Sequence, residues 1–417
     1  MRESSVTTSP RPPLAPLYLA GFTTAFGAHG IAAALGAETE NLGWTLLMFG
    51  FTLALYDLAE VLLKPVFGAL ADRVGMRPVI VAGLLGFAAA SVFGALVPGA
   101  VALAVARFAQ GAAASAFSPA ASAAVARLAD DGTRGRYFGR YGSWKSLGYA
   151  LGPLLGAGLV VWAGMPALFW ALAAVALVAA VWVRFGVPSI PVLPRKRVTV
   201  LDLVREVSAP GFLLSVLVLA ATTGALAVAV GFLPLIGRVS GIGTVGSMAL
   251  VTVLAVVSSA VQPWVGSLLD RRRIGVRSGA VGGLVLLAAG IGLVAAVALV
   301  LPSVSAPLGS SASPEGMSVL AGALLALAAA LSGAGVGLAT PVAFAYLAAT
   351  TPADRMGRTM GSAELGRELG DAGGPLVAGA VGAASLPGVG VLVVTALTAG
   401  AGVLALFGLR RSDAENT

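Results

Sequence analysis

Long, unbroken runs of apolar residues, each about twenty residues or more, recur along the chain and are separated by short polar connections. Their pattern is continuous rather than alternating, so it predicts helices and not strands. A helix of that length crosses about 30 Å of hydrocarbon. Within hydrocarbon, a helix or a closed barrel is the structure that satisfies every backbone polar group. The runs predict twelve transmembrane helices, at 14–36, 43–70, 78–97, 100–128, 139–162, 166–186, 211–235, 246–268, 278–301, 317–349, 360–383 and 388–409. The fold class expected is therefore an all-α membrane protein. Residues 1–13 read as a disordered, Pro-containing cytoplasmic tail with no cleaved leader, and 410–417 as a second tail.

Composition agrees with this reading. The chain has 417 residues, 58% apolar and 11% charged, with a mean hydropathy of +0.95. A soluble domain of this size would need more charged surface. Its 56 glycines let helices approach closely, the usual basis of association within a bilayer. The net charge of +8 does not point to nucleic acid, because the basic residues sit in short loops rather than on one face. They include Arg73 and Arg77; Arg134 and Arg136; Arg195, Lys196, Arg197 and Arg205; Arg271, Arg272, Arg273 and Arg277; and Arg355 and Arg358. Both tails add Arg2, Arg11, Arg410 and Arg411, whereas the opposite loops carry Arg238 beside Glu38, Glu40 and Glu315. The positive-inside rule then places both termini in the cytoplasm. With no cysteine and one histidine, His29, thiol chemistry and a multi-histidine metal cage are excluded. No GxxxxGK[ST] loop is present for ATP-driven transport. No cofactor is expected beyond a proton gradient.

The chain repeats itself. PVFGALADR at 65–73 matches PWVGSLLDR at 263–271 at an offset of 198, aligning Gly68 with Gly266 and Asp72 with Asp270. At an offset of 222, Gly135-Arg136 aligns with Gly357-Arg358, Gly139 with Gly361, Gly148 with Gly370, and Gly152-Pro153 with Gly374-Pro375. Ordered matches across two helices and their loop predict two halves, 14–186 and 210–409, joined by a cytoplasmic linker at 187–209.

Charged residues within the spans carry the candidate chemistry. Asp57, Glu60 and Lys64 lie three and four residues apart in the second span, on one helical face. Fifteen residues separate Asp57 from Asp72, which is about 22 Å of helix and puts Asp57 near mid-membrane. An isolated charge there costs roughly 2.5–3.5 kcal/mol or more on insertion scales, so such a group faces a cavity or a partner. Proton coupling by Asp57 and Glu60 is one reading; a static Glu60–Lys64 bridge is the other. The eleventh span holds a matching row, Glu364, Arg367, Glu368 and Asp371. It could form an ionic interface with the second span, or Glu364 and Arg367 could sit in solvent near the cytoplasmic end. Arg107 in the fourth span is either an electrostatic partner for an acid or an arginine snorkelling along its stem. Lys145 aligns with Arg367 in the repeat and reads as a gate or interface cation. His29 could titrate near neutral pH or be simply hydrogen-bonded. Phe22, Phe26, Met48 and Phe232 could line an apolar pocket or face lipid.

GALADRVGMR (68–77) resembles the signature loop of the major facilitator superfamily, and GSLLDRRRIGVR (266–277) is similar to its weaker copy. RFAQGAAAS (107–115) resembles the arginine-bearing motif of the fourth span in that family. GYALGPLLGAG (148–158) is similar to the GxxxGPxxGG motif of its drug/proton antiporters, with Ala157 in place of the last glycine. The resemblance implies two six-helix bundles related by a pseudo-twofold axis, with the first, fourth, seventh and tenth spans lining a central cavity. The second span would face the eleventh, and the fifth the eighth. Gly68, Asp72, Arg73, Gly75 and Arg77 would form a latch, with Asp72 accepting hydrogen bonds from amides at the start of the eleventh span. Gly148, Gly152, Pro153, Gly156, Gly374 and Pro375 would bend helices or pack them tightly. The implied function is proton-coupled efflux of a small organic compound by alternating access; a proton symporter or facilitator for a sugar or organic acid is the alternative. Neither is an enzyme. The resemblance further implies a monomer in the plasma (inner) membrane, with a small-molecule substrate, protons and the lipid bilayer as its partners and no nucleic acid.

Overall fold

The computed structural model describes residues 14–38, 46–130, 132–193, 208–300 and 315–409. The two tails, the linker arginines and lysine at 195–205, and Glu40 lie outside the described residues, as do the side chains of Glu38, Met48 and Glu315. The long elements are α1 (Ala15–Glu38), α2 (Leu46–Val74), α3 (Met76–Leu96), α4 (Ala100–Leu128), α5 (Arg134–Gly186), α6 (Pro210–Val239), α7 (Gly243–Asp270), α8 (Val276–Val300), α9 (Glu315–Thr350), α10 (Met356–Ala384) and α11 (Pro387–Gly408). Among the described residues, eight of these are long and apolar enough to cross a membrane. By contrast, α2 and α10 each carry a row of charge.

Local chemistry explains where the chain turns. α5 breaks at Ala163 and Gly164, and Gly164 takes φ 76°, a left-handed value open to a residue without Cβ. The break separates limbs at 134–162 and 165–186, close to the two spans expected there. Gly75 turns between α2 and α3 at φ 106°. A 3-10 turn, Ala353–Arg355, leads into α10, so that helix starts earlier than the hydropathy at 360–383 suggests.

Glycine contacts let the helices approach closely. Gly152 and Gly156 seat α5 against Gly30 of α1, and Gly374 seats α10 against Gly224 of α6. Gly83 of α3 lies against the backbone of α4, and Gly335 of α9 against Gly283 of α8. The GxxxGPxxG segment is thus a packing surface for α1. One apolar cluster is drawn mainly from α1–α5; a second lies wholly within α6–α11. Phe232 packs beside that second cluster, and Phe22 stacks on Phe26 with ring centroids 5.4 Å apart.

A Cβ at Gly283 would lie 2.7 Å from the Ala339 backbone nitrogen, whereas one at Gly400 meets nothing within 4 Å. Thermal unfolding in detergent should therefore separate two variants. Gly283→Val is expected to destabilise by about 1–3 kcal/mol through overpacking, and Gly400→Ala to be neutral or stabilising by up to about 1 kcal/mol.

Candidate functional site

The charged rows of α2 and α10 face each other; Glu60, Lys64, Glu364 and Arg367 are buried, and Asp57, Glu368 and Asp371 are partly so. Lys64 has no exposed surface; its ammonium lies 3.2 Å from Glu60 Oε2, hydrogen-bonds Glu368 Oε1, and is 4.0 Å from Glu364 Oε2. Glu364 has none either, so the solvent alternative for Glu364 and Arg367 is overturned. Its carboxylate accepts hydrogen bonds from Lys145 Nζ at 3.0 and 3.2 Å and from Arg367 Nη1 at 3.2 Å. Three cations from α2, α5 and α10 therefore share one carboxylate. The i,i+4 Glu60–Lys64 bridge does form, but as one link in a network that crosses helices. A buried carboxylate hydrogen-bonded by two cations, with a third close by, has its desolvation offset in a way that a single bridge would not provide.

This network borders a cavity of about 100 Å³ lined by His29, Asp57, Glu60, Arg107, Lys145, Tyr149, Glu368 and Asp371, with small residues of α1. Asp57 and Asp371 thus reach the same space from facing helices, as the spacing arguments expected of their depth. His29 lies beside the Tyr149 ring, with centroids 4.1 Å apart. Arg107 does not snorkel. It is 2% exposed, stacks 4.3 Å from the Tyr56 ring centroid, and donates to Gln110 Oε1 at 3.4 Å. Carboxylate oxygens of Asp57, Glu60 and Glu368 lie within 4.8 Å of one another, close enough to hold a metal ion. Lys64, bonded to two of the three, already supplies a positive charge at that place.

The expectation that the first, fourth, seventh and tenth spans line one cavity needs correction. α1 and α4 do so, but α6 and α9 instead line a second, smaller cavity of about 20 Å³ with Phe138, Tyr141, Lys145, Tyr149, Gln262 and Arg367. The Lys145–Glu364 pair draws α5 and α10 together across the centre. Lys145 and Tyr149 border both spaces.

At the ends carrying the basic loops, two junctions share one geometry. Asp72 accepts from the amides of Gly357 at 2.7 Å and Arg358 at 2.9 Å, capping α10. Asp270 accepts from Gly135 at 2.7 Å and Arg136 at 2.9 Å, capping α5. Each carboxylate meets the positive end of a helix dipole and satisfies amides that have no partner within the helix. Gly68 lies against Gly357 and Gly361, and Gly266 against Gly135, where a side chain would collide with backbone. Asp270 was not singled out as a cap in the sequence, although its alignment with Asp72 and that of Gly135-Arg136 with Gly357-Arg358 contain the signal. Arg73 is exposed. Arg77 donates to the Val187 carbonyl at 3.1 Å, not to a carboxylate.

Along the α5–α7 seam, Ser143 donates to the Ser259 carbonyl at 2.6 Å, and Ser146 and Ser258 hydroxyls lie 3.0 Å apart. Gln262 donates to Ser146 at 2.7 Å and to Ser258 at 3.1 Å. These seam residues were missed because serines and one glutamine in an apolar helix have no distinguishing spacing.

Comparison with known proteins supplies the family. Residues 17–324 match the sequence profile of the Major Facilitator Superfamily. The chain is 34% identical to a triacylglyceride transporter of Mycolicibacterium smegmatis over 32% of this chain and 24% of that one. It is 33% identical to multidrug resistance protein MdtH of Photorhabdus laumondii over 36% of this chain and 37% of the relative. With puromycin resistance protein pur8 of Streptomyces alboniger it shares 34% identity over 40% and 32% of the two chains. It thus spans 24–37% of the length of these relatives. Among solved structures, the human organic anion transporter MFSD10 (TETRAN) superposes with a TM-score of 0.70 over 94% of this chain and 97% of that one; at 18% identity this speaks for the fold. A profile match across most of the length, joined to this fold and these capped junctions, places the chain in the Major Facilitator Superfamily.

Proposed function

We propose that this protein is a secondary active transporter that exports a small organic compound in exchange for protons by alternating access. One observation carries the reading. Around the charged cavity, five carboxylates (Asp57, Glu60, Glu364, Glu368 and Asp371) stand against four cations, Lys64, Arg107, Lys145 and Arg367. Glu364 and Glu368 are committed to lysines and an arginine, and Glu60 shares Lys64. Asp57 and Asp371 are therefore the groups best placed to exchange a proton with the cavity, with Asp57 the principal carrier and Arg107 its electrostatic partner. A proton or a cargo molecule biases the bundles only through unequal affinity for the two states. Moving one charge in this cluster changes the balance that holds α2, α5 and α10 together.

In this reading the twelve spans, with α5 counted as two, form two six-helix bundles at 14–186 and 210–409 related by a pseudo-twofold axis, joined by the 187–209 linker. The tails at 1–13 and 410–417, and hence both termini, are cytoplasmic, and the protein sits as a monomer in the plasma membrane. The Asp72 and Asp270 caps then close the cytoplasmic face, and both must release for the cavity to open inward. The names of relatives support a lipophilic or drug-like cargo: multidrug and puromycin resistance for two, triacylglyceride transport for another.

Vesicles with an imposed pH difference test the direction of coupling. Cargo is expected to move against the proton flux; movement with it would make the protein a symporter. Asp57→Asn should reduce pH-driven exchange to background while the protein still reaches the membrane, and unimpaired exchange would remove Asp57 as carrier. Asp72→Asn should weaken the closed face by about 1–2 kcal/mol, slowing the transport cycle more than it weakens cargo binding as measured by equilibrium titration. Removing the shared carboxylate with Glu364→Gln should destabilise the protein by about 3–5 kcal/mol, because it leaves buried cations without their anion. Thermal unfolding reads that loss.

A further inference from the structure

The α5–α7 seam and the ion network each contribute a residue to the wall of the second, smaller cavity, and each of these residues carries a buried polar atom without a partner. Gln262 is 1% exposed and Arg367 5%. Gln262 Oε1 and Arg367 Nε are both buried without a hydrogen-bond partner, and both residues line the cavity of about 20 Å³. The Gln262 carboxamide is held in place. Its nitrogen donates to Ser146 and Ser258, and its oxygen rests over Gly142, where a Cβ would overlap it. With Lys145 and Arg367 both on the cavity wall, an acceptor facing that wall is the favourable orientation of the amide.

A buried donor and a buried acceptor left unmade each cost about 1–3 kcal/mol. A space holding at least about 10–15 Å³, with two or more polar partners, is large enough for one water. We propose that an ordered water sits there, accepting from Arg367 Nε–H and donating to Gln262 Oε1, and that Gln262 is thereby a positioning residue coupling the seam to the ion network. Arg367 grips Glu364 through Nη1, and Glu364 grips Lys145 and Lys64. The water closes a continuous polar path from the serines of α7 to the charged row of α10. The two junctions of the closed face then loosen together rather than independently. The consequence for turnover rests on the transport reading above; the bridge itself does not.

A double-mutant cycle on purified, full-length protein tests the bridge without any transport assay. Gln262→Met keeps the side chain's volume and removes its polar atoms, and Arg367→Lys keeps the charge and removes Nε. Each should lower the unfolding midpoint, and the double variant should fall short of the sum of the two, since either change alone breaks the bridge. Ser143→Ala lies on the same seam but away from the cavity, and combined with Arg367→Lys it should be additive. Full additivity of the Gln262 and Arg367 changes would overturn the proposal. A density map of the wild-type protein should show an ordered molecule within about 2.7–3.2 Å of both atoms; a dry cavity would overturn it equally, even if the variants failed to fold. In vesicles, Gln262→Met should lower turnover severalfold at saturating cargo with little change in apparent affinity. The opposite split would mean that Gln262 contacts cargo and would overturn a positioning role. If wild-type protein shows no proton-driven exchange while the cycle remains non-additive, the transport reading fails and the bridge stands.

Discussion

A buried carboxylate shared by three cations holds the centre of this protein together. Glu364 is inaccessible to solvent, and Lys64, Lys145 and Arg367 reach it from three helices. In water such pairs are worth little; buried as they are, none of the four charges can be left alone without a heavy desolvation penalty. The arrangement is therefore poor as a source of stability but effective as a constraint. It dictates which helices meet.

The two capped junctions extend that constraint toward one face. Asp72 of α2 capping α10 and Asp270 of α7 capping α5 are the same device built at two corresponding places. Each depends on glycine on both sides, because a carboxylate can reach the first amides of a helix only if the backbones nearly touch. At α2 with α10, charge at the centre and a dipole cap at the end act on one interface; at α5 with α7 the cap acts without a central ion pair, because Lys145 of α5 pairs with α10. The serine and glutamine contacts run along this second interface.

Much of this was legible in the residues. Hydropathy located the helices, because backbone satisfaction in hydrocarbon leaves few alternatives. The spacing of Asp57, Glu60 and Lys64, and of Glu364, Glu368 and Asp371, put each row on one helical face, and the repeat offsets paired Asp72 with Asp270. The Asp72 contact with the start of α10 followed from the family resemblance and holds in the structure. What misled was position along a helix taken as a guide to environment: Glu364 and Arg367 lie in the half of α10 that begins at the basic loop, yet both are buried.

The sequence by itself determined that the chain is helical and membrane-spanning, where its helices run, and which of their faces carry charge, since these follow from periodicity and the solvent's intolerance of bare polar groups. Tertiary structure alone decided the partners. Lys145 finding Glu364, 219 residues away, Arg107 stacking on Tyr56, and α6 and α9 lining a separate cavity depend on how tightly glycine-bearing helices close on one another. That distance is set by packing across the whole bundle, which no local pattern encodes.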